Sequence, residues 1–316
     1  MTSPLLTDGI LTLDKAQGMT SMEVVRQVKR LTGHRHVGHG GTLDPEATGV
    51  LPIFLGQATR LMEYLLEGEK EYLGTLRLGI ATDTYDAAGR VTEEREAGGV
   101  TRETLEEALS GFRGVIRQTP PMHSALKWKG QRLYELARRG VEVEREPRTV
   151  EVSRLDLLEW QPPYATLAIQ CGRGAYIRSL AHDVGQALGC GAHLAGLRRT
   201  RTGAFRIGQA VTLEQLREAI AEGQGTELLL PVDYAVLHFG AVVLNSGEER
   251  MVRSGQPVRL SAHTHSAEHL EVCRAYSQEG RFAALLRFNR PIRLWEPHKV
   301  FQLQAPSPYA HEGALV

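Results

Sequence analysis

His39-Gly-Gly-Thr-Leu-Asp-Pro-Glu-Ala-Thr-Gly-Val50 is the stretch on which the reading of this chain turns. It opens polar and glycine-rich and runs directly into the apolar Val50-Leu-Pro-Ile-Phe-Leu55, the pattern of a loop feeding a buried strand. Gly40 and Gly41 permit positive φ and let another backbone or a ligand come close. Pro45 forces Asp44 toward an extended backbone, so its carboxylate stands on a stiff piece of chain. An ordinary Asp-Pro turn would account for the same local pattern. The segment lacks the Gly-Lys-Ser/Thr ending of a phosphate-binding P-loop, so its glycines do not imply a nucleoside triphosphatase. His34, His36 and His39 offer imidazoles with no thiolate nearby, on a loop too pliant to hold three ligands, and no metal is expected.

Working outward, Thr20 and Glu23 have the spacing of a capping box, and Val24, Val28 and Leu31 recur at helical spacing until Gly33, which predicts a helix over 21–32. Residues 70–79 alternate as a strand does; 101–112 form a capped helix; 149–160 and 165–171 read as strands. Ile177, Leu180, Ala181, Val184 and Leu188 make one helical face, and Thr212 with Gln215 opens another helix that ends near Gly223. Strands and helices mix without a regular βαβα alternation, so the fold class is α+β on a mixed sheet. After Pro231 short strand-like runs (241–244, 257–260, 270–275, 282–288) predict a small β-rich domain. The expected division is a first domain over 1–230, a second over 231–305, and a mobile tail over 306–316.

Three cysteines without close spacing suit a reducing cytoplasm, and no stretch approaches the length of a membrane span. The 37 basic side chains balance 37 acidic ones, but unevenly. Residues 63–107 hold twelve acids against five bases, whereas 173–206 hold six arginines against Asp183 alone. A second basic stretch over 118–148 begins extended and continues as a basic helix carrying Trp128 and Tyr134. Arginine- and glycine-rich windows of this kind fit a phosphate-bearing partner, although a solvated surface explains either window alone. Tyr176 and Arg178, in Cys171-Gly-Arg-Gly-Ala-Tyr-Ile-Arg178, fall at a strand-to-helix junction, a common position for site residues.

Four long motifs occur together: GHGGTLDPEATGVLPIFLGQATR at 38–60, KEYLGTLRLGIATDTYDAAG at 70–89, QTPPMHSALKWKGQRLYELARRG at 118–140 and GAYIRSLAHDVGQALGCGAHLAGLRRTRTG at 174–203. In this order they resemble the TruB family of tRNA pseudouridine synthases, over most of residues 10–230. The C-terminal part resembles that family's small, β-barrel-like PUA-type RNA-binding domain more weakly, and exceeds the usual length through the histidine-containing stretch 263–269.

The resemblance implies isomerisation of uridine to pseudouridine in the T-arm loop of tRNA, at the family's standard position 55, by a stand-alone monomer without guide RNA, protein partner or cofactor. It assigns Asp44 as the catalytic carboxylate, Arg178 as its ion-pair partner and Tyr72 as the ring that stacks on the uracil and takes a proton. Tyr176 and Leu197 would pack around the base. His39 would occupy the place the base vacates, with Gly40, Thr42 and Lys127 among the RNA contacts. His123 stands where the family commonly has Tyr. Two other readings remain open: an RNA-binding module in which Asp44 is incidental, and a carboxylate glycosidase, which needs a second acid as proton donor.

Overall fold

The computed structural model describes residues 6–66, 68–124, 126–260 and 267–313. The chain opens with strand β1 (Gly9–Lys15), helix α1 (Ser21–Thr32), β2 (Val37–His39) and β3 (Thr48–Leu55), followed by the short helix α2 (Met62–Leu66). Next come β4 (Lys70–Leu78), β5 (Ile80–Thr82), β6 (Val91–Glu94), α3 (Arg102–Ser110) and β7 (Gly114–Gln118). The basic stretch holds β8 (Lys127–Trp128), β9 (Gln131–Arg132) and α4 (Leu133–Arg138). Then β10 (Arg148–Gln161), β11 (Tyr164–Cys171), α5 (Ile177–Ala187), β12 (Ala192–Thr202), β13 (Phe205–Arg206) and α6 (Leu213–Ala221) complete the first part. The second part contains β14 (Gly240–Val243), α7 (Ser246–Arg253), β15 (Val272–Tyr276), β16 (Phe282–Asn289) and β17 (Leu294–Val300).

The main sheet runs β1-β3-β12-β4-β11-β10-β7, antiparallel except where β12 lies parallel to β3, with β2 attached to β3 and β13 to β12. This is the mixed-sheet α+β class expected from the sequence. The continuous apolar run of β3 has a physical cause in its two covered faces. Leu51, Ile53 and Leu55 point into a core shared with Val24 and Val28 of α1, Leu105 and Leu109 of α3, and Leu180 and Val184 of α5. Val50 and Phe54 point the other way, into a cluster with Val232, Val236, Phe282, Leu285 and Phe301. A strand sandwiched in this way has no solvent face on which to place alternating polar residues.

Helix α1 spans the predicted residues, with a complete Thr20–Glu23 capping box and Gly33 in the left-handed conformation at its C-terminus. Three differences from the sequence reading stand out. Residues 192–202 form a long strand at the centre of the sheet, where the sequence reading saw basic surface. Trp128 lies on the β8–β9 hairpin and not on a helix; only Tyr134 is helical. Of the expected strand 257–260, only Val258 bridges to Trp295.

The second sheet is ordered β14-β15-β16-β17. The segment read as a mobile tail packs on it as far as Gly313. Ser307 donates through Oγ to Asp233 Oδ2 at 2.6 Å, Arg274 donates to Tyr309 O at 3.3 Å, and Ala310 is buried. Of the histidine-containing stretch, residues 263 and 265 lie outside the described residues; His269 accepts from the backbone N–H of Arg290 at 3.4 Å. Among the described residues no helix is long and apolar enough to cross a membrane.

Candidate active site

Asp44 stands on the loop between β2 and β3, and this loop is pinned from two sides. On one side Lys15 donates through Nζ to Ala16 O, Met19 O and Pro45 O at 2.9, 2.7 and 3.0 Å. Ser21 at the start of α1 donates to Leu43 O and accepts from Leu43 N–H, at 3.0 and 2.9 Å. On the other side Arg199 of β12 donates to Val50 O at 2.8 Å, Gly41 O at 3.1 Å and Thr42 O at 3.5 Å. Gly40 is required by the core: a Cβ there would lie 2.3 Å from Leu65 Cδ2 and 2.9 Å from Phe54 Cε2. Its missing side chain therefore makes room for the core and not for a ligand. Thr42 is exposed at the rim.

Arg178, near the N-terminus of α5, meets this loop. Its Nε is 2.8 Å from Asp44 Oδ2, and only 6% of its side chain is exposed, against 40% of Asp44's. The guanidinium is fixed by three further groups: Nη2 donates to His123 O at 2.9 Å, Nη1 donates to Thr84 O at 3.4 Å, and Nη1 lies 3.6 Å from Asp86 Oδ2. Thus position 123 acts on the site through its carbonyl, which any side chain there would supply. Asp86 is held in turn by the Thr84 hydroxyl at 2.6 Å and Ala88 N–H at 3.1 Å, both donating to Oδ1.

Tyr176 is the residue capping α5, tied by its backbone to the buried Gln118: its N–H donates to Oε1 at 2.7 Å and its carbonyl accepts from Nε2 at 3.0 Å. Ser179 Oγ donates to Thr119 O at 2.8 Å, so the start of the basic stretch is bound to the same helix end. Tyr72 of β4 is buried, with Arg199 as its cross-strand partner. Leu197 of β12 is partly buried, opposite Gly74, and its carbonyl accepts from Thr48 Oγ1 at 3.4 Å. His39 is half-buried at the end of β2. Lys127 is exposed on the β8–β9 hairpin.

The electrostatics follow from burial among mixed charges. Burial pushes the Asp44 carboxyl up and Asp86 adds to this, while Arg178 and Lys15 pull it back toward the ionised form. Lys15 is pushed down to about 8 by burial, against the opposing pull of Asp44 and Glu46. His39 is lowered by burial and by Arg199, which favours the neutral ring. Burial raises the phenols of Tyr72 and Tyr176, and Arg199 opposes this at Tyr72.

The site thus holds one half-open carboxylate on a fixed cation beside a buried phenol. The second carboxylate, Asp86, shares that same cation and takes its hydrogen bonds from Thr84 and Ala88. Three participants escaped the sequence reading. Asp86 sits in the acid-rich run 63–107 as well as in the 70–89 motif; Gln118 opens the 118–140 motif without looking chemical; Arg199 is one of six arginines in 173–206. His34, one of the three imidazoles of the glycine-rich stretch, is buried, with Nε2 donating to Leu6 O and Thr7 O at 2.8 and 3.1 Å.

Residues 29–177 match the model of the TruB family pseudouridylate synthase N-terminal domain, and residues 178–237 match that of the tRNA pseudouridylate synthase B C-terminal domain. The chain is 47% identical over 280 residues to tRNA pseudouridine synthase B of Pseudomonas aeruginosa strain UCBPP-PA14, covering 88% of this chain and 90% of that one. It is 41% identical over 304 residues to the protein of the same name from Dehalococcoides mccartyi strain CBDB1, covering 96% and 100%. Among solved structures, a chain of a Cbf5-Nop10-Gar1 complex superposes with a TM-score of 0.69 at 26% identity, covering 97% of this chain and 87% of that one. The chain belongs to the TruB family, as a pseudouridine synthase that isomerises uridine to pseudouridine in tRNA.

Proposed function

We propose that the uridine acted on lies in the T-arm loop, that it is flipped out of the RNA stack, and that Asp44 is the nucleophile. The observation that carries this reading is the Asp44–Arg178 contact at 2.8 Å, with the arginine buried and the carboxylate half-open. Over the reaction the N1–C1′ bond breaks, a C5–C1′ bond forms, and the proton lost from C5 is balanced by one gained at N1. No electrons are exchanged. A carboxylate whose ionised form is favoured by a charge-assisted contact can attack as the uracil leaves. Tyr72 supplies a ring for the uracil and a phenol near the proton to be moved, while Tyr176 and Leu197 bound the base.

Extruding a base costs a few kcal/mol. Stacking on one aromatic ring returns about 1–3 kcal/mol, so Tyr72 offsets much of that cost. His39, neutral and half-buried at the loop edge, is the side chain that fills the vacated place in the stack. The basic residues of 118–148 grip the phosphate backbone, with Lys127 among them, and the second sheet is the PUA-type contact. This long basic stretch supports action without a guide RNA, and the chain is taken to act as a monomer.

The test is tritium release from an unmodified tRNA transcript labelled at uracil C5. Turnover by the natural chain, lost in Asp44→Asn with tRNA binding retained, is the expected outcome. Release that survives in Asp44→Asn would remove the nucleophile assignment, and binding without release in either protein would favour an RNA-binding module.

A further inference from the structure

Arg199 is one of the largest fully buried side chains in the protein, 1% exposed. Its neighbours along β12 lie nearer solvent and pair with acids, Arg198 with Asp14 and Arg201 with Glu71, both at 2.7 Å. Arg199 instead spends its guanidinium on the carbonyls of Val50, Gly41 and Thr42. Those carbonyls bracket Asp44 in sequence. Its neighbours in the sheet are Gly49 on the β3 side and Tyr72 on the β4 side, so one side chain lies between the loop that bears Asp44 and the strand that bears Tyr72. Cross-strand neighbours of this kind stand close enough for their side chains to touch.

Burying a guanidinium is costly unless its donors are satisfied, and a carboxylate is the usual way to do so. Here carbonyl oxygens of the Asp44 loop and of the start of β3 serve, and the positive charge is left to act on its surroundings. Those surroundings are site residues: the charge disfavours protonation of His39 and Lys15 and favours the ionised form of Tyr72. A lysine could carry the charge, but it lacks the planar fork that reaches several carbonyls at once.

We propose that Arg199 is a positioning residue for the isomerisation, locking the Asp44 loop against β4 so that Asp44, His39 and Tyr72 hold fixed mutual places. It touches no substrate and acts through the loop backbone and the Tyr72 ring. The inference rests on the catalytic reading given above, and its test is built so that the two can fail separately.

Arg199→Lys keeps the charge and loses the fork; Arg199→Met loses both. In Arg199→Lys, kcat for tritium release should fall by about tenfold or more while KM and tRNA affinity stay within about twofold. The variant should add little to the loss in Tyr72→Phe, because both act on one geometry. The second readout needs no activity: the imidazole NMR signal of His39, identified by its disappearance in His39→Gln, should titrate at higher pH in Arg199→Met than in the natural chain. Natural kcat in Arg199→Lys, or kcat and affinity lost in equal measure, would overturn the inference. So would a His39 titration unchanged in Arg199→Met. Should the natural chain release no tritium, the catalytic reading fails, and the His39 titration still decides whether Arg199 governs the loop. If Arg199→Met does not fold, Arg199→Lys alone decides through its ratio of kcat to affinity loss.

Discussion

Arg178 shows why a site can depend on one geometry more than on one charge. Its fork faces Asp44, Asp86 and the carbonyls of Thr84 and His123 together. Arg178→Lys keeps the charge but cannot meet this set, so turnover should drop far more than tRNA affinity. Single-turnover tritium release beside filter binding measures both, and equal losses would show that the arginine serves binding and not the reaction. Gly49 makes a second point at this scale. It has φ +101°, and a Cβ there would sit 2.2 Å from Arg199 O. Gly49→Ala combines a strained backbone with a clash against a neighbouring strand, so it should cost more than about 2 kcal/mol. A fall in thermal midpoint, or an insoluble product, is expected; a midpoint within about 1 °C of the natural chain would contradict the close approach.

At the scale of elements, α5 carries both Arg178 and a partly buried acid, Asp183, whose carboxyl is pushed up to about 6 by burial. The folded state therefore holds this proton to higher pH than the unfolded state, in which the group titrates near 3.8. Stability is uncompromised below that pH, falls as pH rises to about 6, and stays reduced above it. Asp183→Asn should then raise stability at pH 7 by about 1–2 kcal/mol, allowing for partial exposure, and give no gain at about pH 3.5. Thermal melts at the two pH values check this, and a gain equal at both would refute it. What was legible in the sequence was of the same local kind. The Thr20–Glu23 box and Gly33 delimit α1, and the apolar run after Thr48 reveals β3, because caps and burial patterns are written in adjacent residues. Residues 192–202 were illegible as a strand because the arginines that crowd their end look like surface, whereas their partners, Asp14, Glu71 and the carbonyls around Asp44, come from distant parts of the chain. Trp128 misled for a related reason: a two-residue hairpin leaves no periodicity to read. Asp44 stands out locally through the Asp-Pro step, Tyr176 and Arg178 through the strand-to-helix junction, and Tyr72 through motif resemblance alone; their mutual geometry, and the place of Asp86 beside Arg178, needed the fold.

On the scale of the whole molecule the two sheets share one apolar cluster. Val50 and Phe54 of β3 stand in it with Phe282 and Leu285 of β16 and with Phe301. At the junction Asp233 accepts from Tyr276 Oη at 2.7 Å and from Ser307 Oγ at 2.6 Å, and Gln57 exchanges hydrogen bonds with the backbone of Gln302 at 3.0 and 2.9 Å. A chain ending at residue 305 would lose Ser307 and the buried Ala310, leaving Asp233 and Arg274 short of partners. Its thermal midpoint should fall by several degrees. An unchanged midpoint would mean that this segment contributes nothing to the fold. The shared cluster also has a mechanical side: to part the sheets, Val50 and Phe54 would have to give up Phe282, Leu285 and Phe301 for water, so the two should melt together as one cooperative unit.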